Sequence, residues 1–221
     1  NPNVYLFKDE IWEMLESTKG NNANSHTREL VSVMMSLFSK GGGIYGGKAY
    51  AKTDDNIDPI ENPFVNFVGA TTPVRFAKAT SQAQVDDGFL NRMIVHRSEE
   101  VPPMAMPAGK TLPQGTLAHL RTMKTIGDPG QPVEVVISED AASEFLDLSN
   151  LADINLVNPE FGPLWSRANE NALRLAGVVA VGINFREPLI TSSIAQWAVG
   201  MVKGQLDEFT KLLEEEMSES L

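Results

Sequence analysis

The sequence predicts an α/β protein in two parts, with mixed strands and helices over residues 1–100 and mainly helices over residues 114–221. Two observations predict this division. Apolar β-prone runs alternate with helix-period segments in the first part, whereas helix-period segments dominate the second. Four prolines fall within residues 101–113, which we therefore interpret as a linker. A chain of 221 residues is long enough to bury a substantial core.

The first part is predicted to contain three strands, at residues 4–7, 64–68 and 93–96. Helices are predicted over residues 11–15, from residue 26 until the glycines that begin at Gly41, and over residues 74–79. Residues 41–52 hold five glycines, two tyrosines and two lysines. This composition is typical of either a β-hairpin or a flexible loop.

The second part is predicted to contain four helices, over residues 116–125, 139–149, 164–181 and 190–213. One strand-like run interrupts them at residues 133–137, and Ser138 after it is a typical helix N-cap. No internal repeat is visible in the sequence.

Composition excludes several classes of protein. The chain has no cysteine and three histidines without metal-ligand spacing, which argues against disulfide frameworks, thiol nucleophiles and histidine metal clusters. The net charge of −11 lowers the expectation of an extensive nucleic-acid surface. Neither a signal peptide nor a membrane-length apolar run is present, so we expect a cytoplasmic location. The first residue is Asn1 rather than Met, so we expect a fragment of a longer protein.

The first candidate site is Asp9-Glu10, which directly follows the first apolar strand. Adjacent acids at a strand end can serve two purposes, because one can face a magnesium ion and the other an attacking water. The alternative is that this pair marks the N-terminus of the following helix, where acidic side chains are favourable.

The second candidate site is Thr71 or Thr72, in the sequence Gly-Ala-Thr-Thr-Pro that follows the strand at residues 64–68. We expect the strands at residues 4–7 and 64–68 to be adjacent and parallel, with Asp9 and Thr71 or Thr72 at the same carboxyl edge of the sheet. A hydroxyl at the tip of a strand beside the acidic one can sense a γ-phosphate. The alternative is an ordinary strand exit in which Pro73 opens the next helix.

The third candidate is Arg92, at the end of Gly88-Phe89-Leu90-Asn91-Arg92 and just before the predicted third strand. An arginine placed there at a protomer surface can reach a neighbouring subunit's γ-phosphate as an arginine finger. The alternative is a surface ion pair.

The order of these motifs resembles the ATPase module of phage- and plasmid-associated primase–helicase-like proteins, which are P-loop NTPases related to superfamily-3 and AAA+ helicases. The matching segments are the Asp-Glu strand, a helix ending in Gly41-Gly42, Asn62-Pro63 before the strand that leads to Thr71-Thr72-Pro73, and the motif ending in Arg92. The late helix over residues 166–176 is also similar to the lid helix of this group.

The resemblance implies part of a RecA/AAA+-like core with a mainly helical lid, in a ring-forming ATP-driven DNA motor. It implies that Asp9 binds magnesium through water and Glu10 orients the attacking water. Thr71 or Thr72 then senses the γ-phosphate, Arg92 acts in trans as the finger, and Arg167 is the lid sensor. ATP and Mg²⁺ are the implied cofactors, and DNA and further copies of the chain are the implied partners.

The sequence departs from this group in its phosphate-binding loop. Residues 42–48 satisfy Gly-x-x-x-x-Gly-Lys, but Ala49 replaces the magnesium-binding hydroxyl, and neither a preceding strand nor a following helix is predicted. We therefore expect the loop upstream in the parent protein, and we expect this chain alone to be inactive.

The glycine-rich segment fits better as a DNA-contacting hairpin. Lys48 and Lys52 would meet phosphates there, while Tyr45 and Tyr50 would stack on bases. The alternative is a mobile surface hairpin. The competing function for the whole chain is a non-catalytic DNA- or protein-binding scaffold that retains an ATPase-like fold.

Overall fold

The computed structural model describes residues 3–19, 25–46, 56, 58–98, 111–127 and 133–219. The described chain is mixed α/β, with helices in the majority and small sheets of two strands each. In chain order the elements are β1 (Asn3–Asp9), α1 (Trp12–Glu16), α2 (Ser25–Ser39), β2 (Ile44–Tyr45), β3 (Ile60–Glu61), β4 (Phe64–Ala70), α3 (Pro73–Ala79), α4 (Gln82–Asp86), a 3₁₀ turn (Leu90–Arg92), α5 (Gln114–Gly127), β5 (Val136–Ile137), α6 (Glu139–Asn155), α7 (Gly162–Trp165), α8 (Ala168–Ile183), β6 (Leu189–Ile190) and α9 (Ser192–Glu219).

The two longest strands, β1 and β4, lie side by side and run parallel, with Asn3 opposite Phe64 and Asp9 opposite Ala70. Both carry apolar, β-prone side chains, and a connection of more than fifty residues allows the parallel crossover. The expected parallel pairing is therefore confirmed. Its consequence is that the polar residues following both strands lie at one edge of the sheet.

The start of the glycine-rich segment forms β2, which pairs in antiparallel fashion with β3 further along the chain, with Ile44 opposite Glu61 and Tyr45 opposite Ile60. Of the two alternatives for this segment, the pairing favours a hairpin. Lys48, Tyr50 and Lys52, the other residues expected to contact DNA, lie outside the described residues.

The prediction of a third strand at residues 93–96 is wrong. The motif before it forms the 3₁₀ turn Leu90–Arg92, and the residues that follow are in no strand of the described sheets. The main-chain N–H of Val95 donates instead to Oε1 of Gln205, at 2.7 Å. Because this buried side chain of α9 takes the N–H, the segment is held by a helix rather than by a neighbouring strand.

The helical part is built on α6, α8 and α9, and small side chains allow close packing at their contacts. Ala172 and Ala176 of α8 and Ala195 and Ala198 of α9 are fully buried there. The predicted single helix at residues 164–181 is divided into α7 and α8, with the break at residues 166–167. Ser166 stabilises the break, because its Oγ donates to the Pro163 carbonyl at 2.7 Å.

The first and second parts share apolar contacts. The rings of Phe76 in α3 and Phe209 in α9 lie 5.4 Å apart between centroids, and both side chains are buried. Among the helices that the structure describes, none is long and apolar enough to cross a membrane.

Candidate functional site

Two polar side chains meet where β1 and β4 end. Thr71 Oγ1 donates a hydrogen bond to Glu10 Oε2, at 3.3 Å, although the residues are 61 positions apart in sequence. Each follows the last residue of its strand, and these last residues, Asp9 and Ala70, are opposite each other in the parallel register. The pairing of the strands therefore brings together the first two candidate sites of the sequence, the acidic pair and the threonine.

Glu10 has a left-handed backbone conformation, with φ of 53°. Its N–H donates to Asp9 Oδ1 at 3.1 Å, and the next N–H, that of Ile11, donates to the Ala70 carbonyl at 3.1 Å. A non-glycine residue in this conformation costs on the order of 1 kcal/mol or more. The contacts of Asp9 and Ile11 on either side hold Glu10 in it, with its carboxylate beside Thr71.

The two candidate threonines occupy different positions. Thr71 is half-buried, contacts Glu10 and lines a cavity beside β4. Thr72 is exposed and forms the N-cap of α3, with Pro73 next to it and no side-chain capping bond. The geometry therefore favours Thr71 over Thr72 as the functional hydroxyl.

The cavity beside β4 has a volume of about 400 Å³. Phe67 and Thr71 belong to its β4 side, Phe38 comes from the end of α2, and Arg92 comes from the 3₁₀ turn. Its wall is mostly apolar, and its polar side chains are those of Asn66, Thr71, Arg92 and His96. Thr71 also links the cavity to Glu10, which is exposed at the strand end.

Three arginines surround the ring of Phe38, and we call Arg92, Arg167 and Arg174 the arginine cluster. The guanidinium carbons of Arg92 and Arg167 are each 5.8 Å from the ring centroid, and that of Arg174 is 4.0 Å away. Arg174 Nη2 also donates to the main-chain oxygen of Phe38, at 3.1 Å. The cluster thus joins the start of the long helix α8 to the end of α2.

Glu170 is the acidic partner of the arginine cluster. Its Oε1 accepts from Arg174 Nη2 at 2.7 Å and from Arg174 Nε at 3.2 Å, and its Oε2 pairs with Arg167 Nη1. Partial burial alone would raise the pKa of Glu170, but the hydrogen bonds and charges of Arg174 and Arg167 outweigh it, so the pKa lies below its ordinary value.

The side chain of Arg92 is held by contacts with residues of the same chain. Burial and the nearby positive charge of Arg167 lower the pKa of Arg92, and Glu170 partly offsets them. Its Nη1 donates to the Gly88 carbonyl, while its buried Nε has no hydrogen-bond partner among the described residues. Arg92 was expected at a protomer surface, but its side chain is half-buried and faces the same cavity as Thr71.

Two more residues that the sequence analysis assigned to a site, Arg167 and Tyr45, lie within the described part of the chain. Arg167, the expected lid sensor, is the N-cap of α8 and belongs to the arginine cluster together with Arg92. Tyr45, expected to stack on DNA bases, is half-buried in β2.

Glu170, Arg174 and Phe38 were not expected in the site. Charge spacing could have found the first two, because Arg167–Glu170 and Glu170–Arg174 have the i,i+3 and i,i+4 spacing of ion pairs on a helix. No comparable sequence signal marks Phe38.

The acidic residues can be tested against a magnesium ion. In the described part of the chain, no three histidine, aspartate or glutamate side chains converge on a metal-sized site. Mg²⁺ bound to a nucleotide needs fewer protein ligands, because one or two carboxylates, substrate phosphates and water complete its shell. Asp9, exposed at the end of β1, fits that role.

Comparisons with known proteins add no relative: no family model, no curated protein and no solved structure matches this chain.

Proposed function

We propose that this chain carries the hydrolytic half of a nucleoside-triphosphate site, most simply one for ATP, in a DNA motor. The observation that supports the proposal best is the hydrogen bond between Glu10 and Thr71, where two parallel strands end. Ligands of open α/β sheets bind at this carboxyl edge. An acid and a hydroxyl at this edge, with Arg92 in the cavity that Thr71 also lines, are suited to bind and cleave phosphoanhydrides.

In the proposed reaction a water oxygen attacks the γ-phosphorus and forms a new P–O bond, while the bond from that phosphorus to the β–γ bridging oxygen breaks. Glu10 accepts a proton from the attacking water, and the products are ADP and phosphate. Thr71 holds the Glu10 carboxylate in place and senses the γ-phosphate from the cavity. Arg92 and Arg167 balance the negative charge that builds up on the phosphoryl oxygens.

Asp9 would hold Mg²⁺ through water, and the bound ion would neutralise phosphate charge. The phosphate cradle has to come from another segment, since the sequence offers only the Gly42–Lys48 pattern, which lacks the hydroxyl at Ala49. We therefore expect the chain by itself to bind ATP poorly and not to hydrolyse it, because main-chain N–H groups of the cradle make most phosphate contacts.

The DNA part of the proposal depends on the glycine-rich hairpin. Two of its residues, Lys48 and Lys52, supply positive charge, and Tyr45 and Tyr50 supply aromatic rings, which is the combination that binds single-stranded nucleic acid. A ring of identical subunits would place several such hairpins around one strand.

The proposed function is tested by measuring ATP hydrolysis by the full-length protein that contains this chain. Its rate is compared with those of the variants Glu10→Gln and Thr71→Ala. Glu10→Gln should lower the turnover rate about 100-fold or more, because general-base catalysis contributes about that much. Thr71→Ala should lower it less. The matched controls are Glu13→Gln, which removes an exposed carboxylate bound by Lys8, and Thr72→Ala.

Both controls should leave turnover within about twofold of the original protein, because neither side chain lines the cavity or takes part in the Glu10–Thr71 hydrogen bond. If Glu10→Gln and Glu13→Gln lower turnover equally, Glu10 is not the base. If the full-length protein hydrolyses no nucleoside triphosphate but binds DNA through this chain, the non-catalytic scaffold is the correct function.

A further inference from the structure

The arginine cluster has more positive charge than Glu170, its one acidic partner among the described residues, can balance. Three guanidinium groups face one carboxylate, that of Glu170, around the ring of Phe38. The cluster is accessible to a ligand, since 44% of the Arg174 side chain and 28% of the Arg167 side chain are exposed. An anion with several oxygens is the ligand that this charge and these donors favour.

Glu170 resembles such an anion in its contacts. One carboxylate oxygen accepts two hydrogen bonds from the Nε and Nη2 of Arg174, and the other oxygen pairs with Arg167. A phosphate group uses the same paired N–H donors of arginine. The carboxylate and a phosphate group therefore compete for the same donors.

We propose that Glu170 is a positioning residue that holds Arg167 and Arg174 until a phosphate group takes its place. The proposal rests on the phosphate chemistry proposed for the cavity, and it adds a regulatory step to it. When phosphate oxygens bind Arg167, the carboxylate of Glu170 loses a partner. Helix α8, which carries Glu170 and Arg174 and is capped by Arg167, then shifts its contacts toward the nucleotide.

The positions of the cluster residues determine which contact is lost and which is formed when a phosphate group replaces Glu170. Arg167 is attached to α8 of the helical part, whereas Phe38 and Arg92 belong to the part that contains β1 and β4. Arg92 lines the cavity that Thr71 also lines, and it lies near Arg167 on the Phe38 ring. A phosphate group at the cavity end of the cluster would thus replace a contact within α8 by a contact between the two parts of the chain.

The first test measures the binding of inorganic tripolyphosphate to the full chain by isothermal titration calorimetry. Glu170→Gln should bind about tenfold more tightly than the original chain, because one negative charge near the ligand is removed. Arg167→Ala should bind at least about tenfold more weakly. The matched control is Arg186→Ala, which removes an arginine that also stacks on a phenylalanine, Phe185 at 5.9 Å, away from the cluster; it should leave the affinity unchanged.

The second test needs no substitution and therefore does not depend on how well a variant folds. The carboxyl carbon of Glu170 is titrated by NMR in the original chain, with and without tripolyphosphate. The pKa of Glu170 should rise toward its ordinary value when the ligand binds, because its arginine partners are then occupied. A purely structural ion pair would keep the same pKa in both titrations.

Tighter binding by Glu170→Gln together with a raised pKa supports the exchange. Equal or weaker binding by a folded Glu170→Gln chain, or an unchanged pKa at saturating tripolyphosphate, overturns it. These outcomes are separate from those of the proposed function. Loss of hydrolysis in Glu10→Gln tests the reaction, whereas tripolyphosphate binding tests the cluster without any reaction.

Discussion

Asn171, buried on α8, donates a hydrogen bond from its Nδ2 to the main-chain oxygen of Asn91, at 2.9 Å and 80 residues away in sequence. Asn91 in turn donates to the Pro163 carbonyl at 3.1 Å and to Ser166 Oγ at 2.6 Å. These bonds fix the residue directly before Arg92 to the helical part. The position of Arg92 beside Arg167 therefore depends on buried amides that do not themselves contact the cavity.

Asn171→Leu should lower the free energy of unfolding by about 1–3 kcal/mol, because it leaves the buried Asn91 carbonyl without its donor. Urea unfolding measures the loss. Asn169→Ala is the matched control on the same helix, since it removes a buried amide oxygen that has no hydrogen-bond partner among the described residues. Equal losses of unfolding free energy in the two variants would show that the Asn171–Asn91 hydrogen bond does not add to stability.

Gly69→Ala should destabilise the protein by about 1–3 kcal/mol. A Cβ at Gly69 would lie 2.7 Å from Cδ1 and 3.0 Å from Cβ of Ile11, which is almost completely buried. Gly177, inside α8, is the opposite case, because among the described residues a Cβ there meets no atom within 4 Å apart from the backbone of its own helix. Gly177→Ala should stabilise the helix by up to about 1 kcal/mol.

Thermal unfolding compares the two glycine variants, and adding Ile11→Val to Gly69→Ala should restore part of the stability by removing Cδ1. If Gly69→Ala is as stable as the original protein, the close contact with Ile11 does not constrain the end of β4.

Glu170→Gln should change how stability depends on pH. Because the folded pKa of Glu170 is below its unfolded value, the charged carboxylate adds stability above the unfolded pKa, about 4.3. That contribution is lost as the pH falls through the lower, folded pKa. The difference in unfolding free energy between the original chain and Glu170→Gln should therefore be largest near neutral pH and shrink in acid.

Urea unfolding between about pH 3 and pH 7 measures this difference. The control is the same substitution in a chain that already carries Arg167→Ala and Arg174→Ala, where the pH-dependent difference should disappear. A difference that persists in that background would place the cause outside the arginine cluster.

Arg92→Ala should lower ATP hydrolysis by the full-length protein about 10³-fold and leave nucleotide binding nearly intact, if Arg92 is an arginine finger. Mixing Arg92→Ala subunits with Glu10→Ala subunits distinguishes an arginine that acts on a neighbouring subunit's site from one that acts on the site of its own chain. A finger that acts in trans should recover activity at interfaces that pair an intact Arg92 with an intact Glu10.

No recovery in mixed rings, together with the same loss in Arg92→Ala, would show that Arg92 acts on its own chain's cavity, the one lined by Thr71. Unchanged turnover in Arg92→Ala would leave Arg92 with only its structural contacts to Gly88 and Phe38.

The sequence alone determined the two long strands, β1 and β4, and the polar residues at their ends. Apolar β-prone runs predicted β1 and β4, and the polar residues after each run predicted that Asp9 and Thr71 or Thr72 would lie at one edge. The structure confirms that shared edge and adds the hydrogen bond between Glu10 and Thr71. These features follow from local patterning, since a buried parallel strand needs a continuous apolar run and must end at the sheet edge. The helices α5, α6 and α9 followed from helical periodicity in the same way.

Only the tertiary structure decided which distant side chains meet. Residues 93–96 have the pattern of a strand, yet Gln205 of α9 takes the Val95 N–H that a strand would have shared. Arg92, Arg167 and Arg174 converge on Phe38 because their side chains reach the end of α2 from the 3₁₀ turn and from the first part of α8, and no spacing in the sequence encodes that approach. Hydrogen bonds and charges between elements far apart in the chain depend on packing, which local periodicity does not specify.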